Sequence, residues 1–384
     1  MQIRQKKLLM VVNDAGFFLS HRAPLAMAAR DNGFHVVVAT AAGPAVPAIL
    51  DAGYEHREVR LTRSGRNPVA EAISIVSLIR LLRSVKPDIA HLVTIKPVLY
   101  GGIAARMAGV PGVVSAVSGL GTVFGPAKGP GIRIARFVAK SFYRLALKHR
   151  NQRVIFQNSS DRDVLLKLTG IDPYKAILIP GSGVDLSEYT MTDEAETDAP
   201  VVVMAGRLLR DKGIQEFAEA AGILKSKGVR ARFLLVGDPD PGNPSSVTES
   251  QLEAWRSKGD IEMPGFRPDV ATIFSTSHVV VLPSYREGLP KVLIEAASCG
   301  RAVVTTDVPG CRDAIEPGQS GILVPPRDAR ALADAIGHLI AHPDVRRQMG
   351  RAGRKLAERQ FSIDQVVEAH LSTYEALLAS ACDE

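Results

Sequence analysis

The chain has 384 residues, 46% of them apolar and 23% charged, with a formal net charge of +7. That length suggests two domains with ample material for packed cores, and the 3 cysteines form neither a disulfide framework nor a metal spacing. The charge is lopsided: residues 1–190 hold 25 Lys/Arg against 12 Asp/Glu and the remainder 22 against 28, so +13 stands against −6.

No apolar run approaches a membrane span; Leu8 to Val12 is short and runs into Asn13-Asp14, which also speaks against a signal peptide. Cys299, Cys311 and Cys382 read as reduced thiols of a cytosolic protein. The first half alternates short apolar runs with amphipathic stretches. Strands are expected at Leu8–Asn13, His35–Ala39, Glu55–Val59, Ile89–Val93, Val113–Val117, Val154–Gln157 and Ala176–Ile179, with helices between them such as Val69–Arg83. Such alternation builds a parallel sheet with helices on both faces.

Three strand exits in this half carry adaptable or polar residues. In Asn13–Arg22, Gly16 lets the backbone approach a ligand, Phe17 follows it, and Ser20 is placed to cap a helix. No GxGxxG fingerprint is present, which argues against a dinucleotide-binding dehydrogenase. His91 reads as a hydrogen-bonded core residue, while Thr94 and Lys96 are polar groups on the loop after it. Ser118-Gly119-Leu120-Gly121-Thr122 is an adaptable loop with hydroxyls nearby. Further on, Arg133, Arg136, Lys140, Arg144 and Lys148 recur at helical spacing beside Ile134, Phe137, Val138, Phe142 and Leu145. A basic stripe along an apolar face suits a helix lying on an anionic bilayer, or equally a core helix with a solvated basic face. No acidic residue occurs between Asp88 and Asp161. Such a basic surface suits anionic lipid or a phosphorylated acceptor; nucleic acid fits less well, because aromatic interleaving is sparse and no binding motif is present.

Gly183 to Pro200 is polar and acidic and reads as a linker. Strands resume at Val201–Ala205, Phe233–Val236, Val279–Leu282 and Ala302–Thr305. The first of these ends in Gly206-Arg207 and is followed shortly by Lys212-Gly213; Arg offers a planar fork and Lys a compact charge for phosphate oxygens. Gly265-Phe266-Arg267-Pro268-Asp269 precedes a helix start. After Val279–Leu282 come Ser284, Glu287, Gly288, Leu289 and Pro290, then a helix to Ser298 that carries Glu295, with seven residues between it and Glu287. One carboxylate on a strand-to-helix loop and one on the helix can accept hydrogen bonds from two sets of hydroxyls, and the helix N-terminus attracts an anion. All these groups leave the carboxyl ends of strands, where open α/β sheets bind ligands. Phe361-Ser362-Ile363-Asp364-Gln365 looks like a staple and capping box opening a last helix.

Gly206-Arg207 with Lys212-Gly213, and Glu287-Gly288 with Glu295, resemble the retaining GT-B glycosyltransferases that use nucleotide-diphosphate sugars, over nearly the whole chain. The resemblance implies an α/β chain of two Rossmann-like, doubly wound domains facing across a cleft. The acceptor-binding domain would be 1–182, the linker 183–199, the nucleotide-sugar domain 200–361, and 362–384 a helix crossing back to the first domain. It implies that Arg207 and Lys212 bind the donor diphosphate, Glu287 contacts the transferred sugar and Glu295 holds the ribose. Gly206, Gly288, Leu289 and Pro290 would bring backbone to the donor, with Arg267 on the base side. No metal and no cofactor is expected; the nucleotide sugar, UDP-linked, is a substrate. Within the family the first-domain loops look like those of bacterial enzymes that extend polyprenyl-diphosphate-linked sugars. This puts Gly16, Phe17, Thr94, Lys96, Ser118 and Gly119 on the acceptor side and the enzyme at the inner face of the cytoplasmic membrane, with an anionic membrane surface as partner. Many relatives carry a second histidine two residues after the one at His91; here Val93 stands there, which speaks against a histidine-assisted step. A nucleotide-sugar epimerase of the same architecture and a non-enzymatic membrane-surface module stay open as alternatives.

Overall fold

The computed structural model describes residues 5–61, 68–120 and 130–382. The chain divides into two units, 1–182 together with 365–384, and 183–364.

The first unit is built on β1 (Lys7–Val12), β2 (His35–Thr40), β3 (Glu55–Glu58), β4 (Ile89–Val93), β5 (Gly112–Val117), β6 (Gln152–Phe156) and β7 (Ala176–Leu178). They pair parallel throughout, in the order β3-β2-β1-β4-β5-β6-β7. The central strands are apolar on both faces because both are covered, as a parallel sheet requires. On one face α4 (Pro68–Val85), α5 (Gly102–Ala108), α6 (Pro130–Ala146) and α7 (Ser159–Thr169) pack over Leu9, Val11, Ala90 and Val113. On the other, α1 (Ala15–His21), α2 (Ala23–Asp31) and α3 (Val46–Asp51) cover Leu8, Met10, Val36 and Val114, together with Val366, Tyr374 and Leu377 of the last helix.

The second unit holds β8 (Val201–Ala205), β9 (Arg232–Val236), β10 (Glu262–Gly265), β11 (Val279–Leu282), β12 (Ala302–Thr306) and β13 (Gly321–Val324), all parallel, in the order β10-β9-β8-β11-β12-β13. Its helices are α8 (Ile214–Ser226), α9 (Glu249–Lys258), α10 (Val270–Ser275), α11 (Lys291–Ser298), α12 (Ala329–Ala341) and α13 (Pro343–Gln360). The last helix, α14, runs over Ile363–Cys382. Residues 183–199 belong to the second unit, where Val184 and Tyr189 are buried in its core.

Two strands escape the sequence patterns. β10 is an edge strand of sequence EMPG with no fully buried residue, and β13 is a four-residue edge strand. An edge strand needs only one covered face, so β10 lacks the continuous apolar run that marks a central strand; β13, of sequence GILV, is apolar but very short. The first helix also starts earlier than the Ser20 cap would have it. Asp14 is its N-cap, accepting the Phe17 amide at 2.9 Å, while Ser20 sits in the last turn and returns its hydroxyl to the Gly16 carbonyl at 2.8 Å.

Candidate functional site

In each sheet the chain leaves the central strand in both directions, which opens a crevice at the carboxyl ends of two neighbouring strands. In the second unit those strands are β8 and β11. β8 ends at Gly206, whose φ of +145° only glycine adopts comfortably. A side chain on the neighbouring Gly237 would meet the Gly206 carbonyl at 1.9 Å, so the floor here is bare backbone. The chain then runs through Arg207 to a short turn at Arg210–Lys212 and enters α8 through Gly213 at φ +76°, where a Cβ would lie 2.2 Å from the Pro283 carbonyl. This close approach brings the Lys212 turn against the loop leaving β11. The Tyr285 amide donates to the Asp211 carbonyl at 2.9 Å and completes the contact.

Two of the five charged donor-side candidates meet there. Lys212 Nζ lies 2.6 Å from Glu287 Oε1, and Ser284 Oγ donates to the same oxygen at 2.6 Å. The pair is mostly covered, with side chains 24% and 15% exposed, so its attraction is less screened than at an open surface. Behind this loop Gly310 is required, because a Cβ would stand 2.6 Å from the carbonyls of both Glu287 and Gly288. Cys311 lies buried below, and burial together with the nearby Glu287 charge pushes its thiol up to about 12.

The other three have separate partners. Arg207 donates to Asp240 at 2.8 Å. Glu295 is buried on α11, 3.1 Å from Lys291 one turn before it, and it approaches Tyr189, whose hydroxyl is raised by burial and by that carboxylate. Leu289 is buried and Pro290 is the N-cap of α11. Arg267 forms a bidentate pair with Asp269, the N-cap of α10, at 2.8 and 2.6 Å. Beside it Phe266 is exposed, and its amide donates to Asp238 at 3.1 Å.

The first unit's crevice lies at the ends of β1, β4 and β5 and has another character. Gly16 and Phe17 stand in the first turn of α1, with the Phe17 ring stacked on His21 at 4.1 Å. Thr94 takes φ +75°, an uncommon conformation for a β-branched residue. Gly119 has φ +129°; Gly121 and Thr122 lie outside the described residues. Asn13 Oδ1, Thr94 Oγ1 and Ser118 Oγ, one from the exit of each strand, are buried with no hydrogen-bond partner among the described residues. Lys96 has its charge met by Glu71 of α4 at 2.7 Å, with both side chains about 15% exposed. His91 points away from these loops: its Nδ1 lies 2.6 Å from the Tyr374 hydroxyl of α14 and its ring stacks on His370. Burial, Arg22 and the neighbouring ring keep His91 well below the usual histidine range, and burial brings His370 down to about 3. Val93 is fully buried on the same face as His91.

Sequence reasoning missed Ser284, Gly310, Asp240, Glu71 and Asn13. Ser284 stands three residues before Glu287 at a strand exit and was open to the same argument. Asn13, three residues before Gly16 at the β1 exit, was open to it too, whereas Gly310, Asp240 and Glu71 lie far along the chain from the residues they touch and left no local signal.

Two doubly wound parallel sheets, one with a charged loop pair at the point where its strand order reverses, define the GT-B architecture. Residues 7–158 match the family described as "Glycosyl transferase 4-like", and residues 199–342 match "Glycosyl transferases group 1". The chain belongs to the GT-B glycosyltransferases. It is 28% identical over 380 residues, 96% of this chain and 98% of the other, to the N,N'-diacetylbacillosaminyl-diphospho-undecaprenol alpha-1,3-N-acetylgalactosaminyltransferase of Campylobacter jejuni. It is 29% identical, over 68% of this chain and 69% of the other, to the UDP-Gal:alpha-D-GlcNAc-diphosphoundecaprenol alpha-1,3-galactosyltransferase of Escherichia coli. Among solved structures, HepE of Anabaena in complex with UDP shares the fold with a TM-score of 0.76 at 17% identity, covering 97% of this chain and 100% of that one.

Proposed function

We propose that this glycosyltransferase moves a hexose or N-acetylhexosamine from a UDP-sugar to a polyprenyl-diphosphate-linked saccharide, with retention at the anomeric carbon, in bacterial surface glycan assembly. The observation that carries the donor half is the convergence of Lys212 and Glu287 at 2.6 Å where β8 and β11 diverge. Lys212, with Arg207 close along the same strand exit, offsets the charge that develops on the departing diphosphate. No metal is proposed for that task. Glu287, held through Oε1, presents Oε2 to a hydroxyl of the transferred sugar, and Glu295 takes the ribose. The bare backbone at Gly206 and Gly237 leaves room for the diphosphate, and Phe266 and Arg267 lie toward the base.

The acceptor half rests on the first unit. Three buried polar oxygens without partners, from Asn13, Thr94 and Ser118, suit the hydroxyls of a saccharide. The relatives from Campylobacter and Escherichia named above act on diphospho-undecaprenol-linked sugars, which favours a lipid-linked acceptor here too. Among the described residues no helix is long and apolar enough to cross a membrane. Peripheral attachment at the inner face of the cytoplasmic membrane is supported by α6, which exposes Ile134, Phe137 (70%) and Val138 between Arg133, Arg144 and Lys148. On the same side of the sheet α4 exposes Val69, Ile73 and Val76, with Arg80 further along. An apolar strip flanked by cations is what an anionic leaflet holds.

The test is transfer from a panel of UDP-sugars to membrane extract and to soluble sugars, with the anomeric configuration of the product read by NMR. Transfer into the lipid fraction with retention supports the proposal; transfer only to soluble sugars removes the lipid acceptor, and an inverted product removes retention.

A further inference from the structure

Tyr285 and Arg327 take no part in the donor contacts above, yet they are among the most constrained residues near them. Tyr285 lies two residues before Glu287 and is held at three points. Its amide donates to the Asp211 carbonyl at 2.9 Å, its hydroxyl donates to Glu216 Oε1 at 2.7 Å, and the Arg327 guanidinium lies 4.2 Å from its ring centre. Glu216 is buried in the first turn of α8, four residues after Lys212, where a carboxylate is favoured by the helix N-terminus. Arg327 comes from the loop after β13 and holds φ +63°, a backbone conformation that an arginine seldom takes. A cation stacked on a tyrosine face is attracted to the ring, and the ring is thereby fixed in plane. The three residues come from α8, the β11–α11 loop and the loop after β13, which the fold brings to one edge of the sheet.

The consequence is mechanical. Lys212 and Glu287 sit on separate loops, and their 2.6 Å separation is set by how those loops are held together. The Tyr285–Glu216 bond ties the loop of one to the helix start of the other. A displacement of about 1 Å in such a pair is enough to cost a large factor in rate. We propose that Arg327, Tyr285 and Glu216 form a strut that sets the Lys212–Glu287 geometry, making Tyr285 and Arg327 positioning residues for sugar transfer. The rate consequence rests on the reading of Lys212 and Glu287 as donor-site groups; the mechanical claim does not.

The experiment uses the full chain and the variants Tyr285→Phe, Arg327→Met and Arg327→Lys. Tyr285→Phe keeps the ring under Arg327 and removes only the hydroxyl; Arg327→Met lies at an exposed position and spares folding. The first readout is amide hydrogen exchange over 283–290. The strut predicts about tenfold faster exchange there in Tyr285→Phe and Arg327→Met, with β9 and β12 unchanged and partial restoration in Arg327→Lys. The second is UDP-sugar turnover: kcat falls about tenfold while KM for the donor moves less than twofold, because loop placement and not diphosphate contact is lost. Unchanged exchange over 283–290 overturns the strut; loosened exchange with unaltered kcat overturns the role of Tyr285 and Arg327 as positioning residues. If the parent protein turns over no UDP-sugar, the donor reading fails and exchange alone decides the strut.

Discussion

The two units carry one strand plan and opposite chemistry. In both, the strand order reverses between the first strand and the fourth, and in both the candidate site residues leave the carboxyl edge. At that edge the second unit gathers ion pairs, Lys212–Glu287 and Arg207–Asp240, while the first presents neutral oxygens of Asn13, Thr94 and Ser118 and pairs off its lysine with Glu71. The contrast teaches that a doubly wound sheet supplies a place for a ligand and says nothing of which ligand; the loops decide. It also corrects a simple view of charge. The half with the large positive excess pairs Lys96 at its strand exits with Glu71 and carries exposed cations along α6, and the acidic half sets Lys212 and Arg207 in ion pairs at its strand exits.

The largest expected effect breaks the charged side. Glu287→Ala and Lys212→Ala should each lower kcat by about a hundredfold to a thousandfold, the range for deleting a preorganised electrostatic partner, with little change in melting temperature. Near-normal turnover in either would mean that the ion pair is structural and that the contrast between the units is not functional. The next concerns acid. His370 is held near 3 against a usual 6.5, so the unfolded chain binds a proton there that the folded chain does not. Stability of the first unit is therefore complete above about pH 6.5 and falls as pH drops toward 3, with a slope of about 1.4 kcal/mol per pH unit for that one histidine. His91, shifted the same way by burial and by the neighbouring His370 and Arg22, steepens the loss. Hydrogen exchange at β4 and α14 should rise on acidification from pH 6.5 to 5 before it rises at β8 and β11. Simultaneous loosening of both units would contradict this.

A smaller effect sharpens the neutral side. Thr94→Val and Ser118→Ala should each raise the acceptor KM by about twofold to tenfold, one net hydrogen bond apiece, and leave the donor KM unchanged. Because these hydroxyls are buried without partners in the free protein, neither substitution should lower the melting temperature; a drop would reassign them to structure. The smallest expected change concerns the surface: Phe137→Glu should reduce sedimentation with vesicles containing anionic phospholipid, and so should raised salt, since each basic residue near the leaflet contributes about 1 kcal/mol. Equal binding to neutral vesicles would remove the electrostatic part of that reading.

Much of this was legible before folding. The central strands announced themselves as apolar runs, because a strand covered on both faces has no polar alternative. Gly206, Arg207, Lys212, Glu287 and Glu295 stood out because local spacing places charged groups at strand exits, and that spacing needs no knowledge of the rest of the chain. The edge strand β10 was not legible, since half-exposed pairing tolerates Glu262 and Pro264, and β13 offers only the four residues GILV. Nor were Glu71 against Lys96, Asp240 against Arg207, or Gly310 against Glu287: each joins residues brought together only when parallel strands from distant segments are laid side by side. The sequence by itself thus determined which groups exist and on which kind of element each rides. The tertiary structure decided which charge is spent on which, setting Lys212 on Glu287 and leaving the buried oxygens of Asn13, Thr94 and Ser118 without a partner among the described residues, because partnership depends on distances of a few ångströms that only sheet order creates.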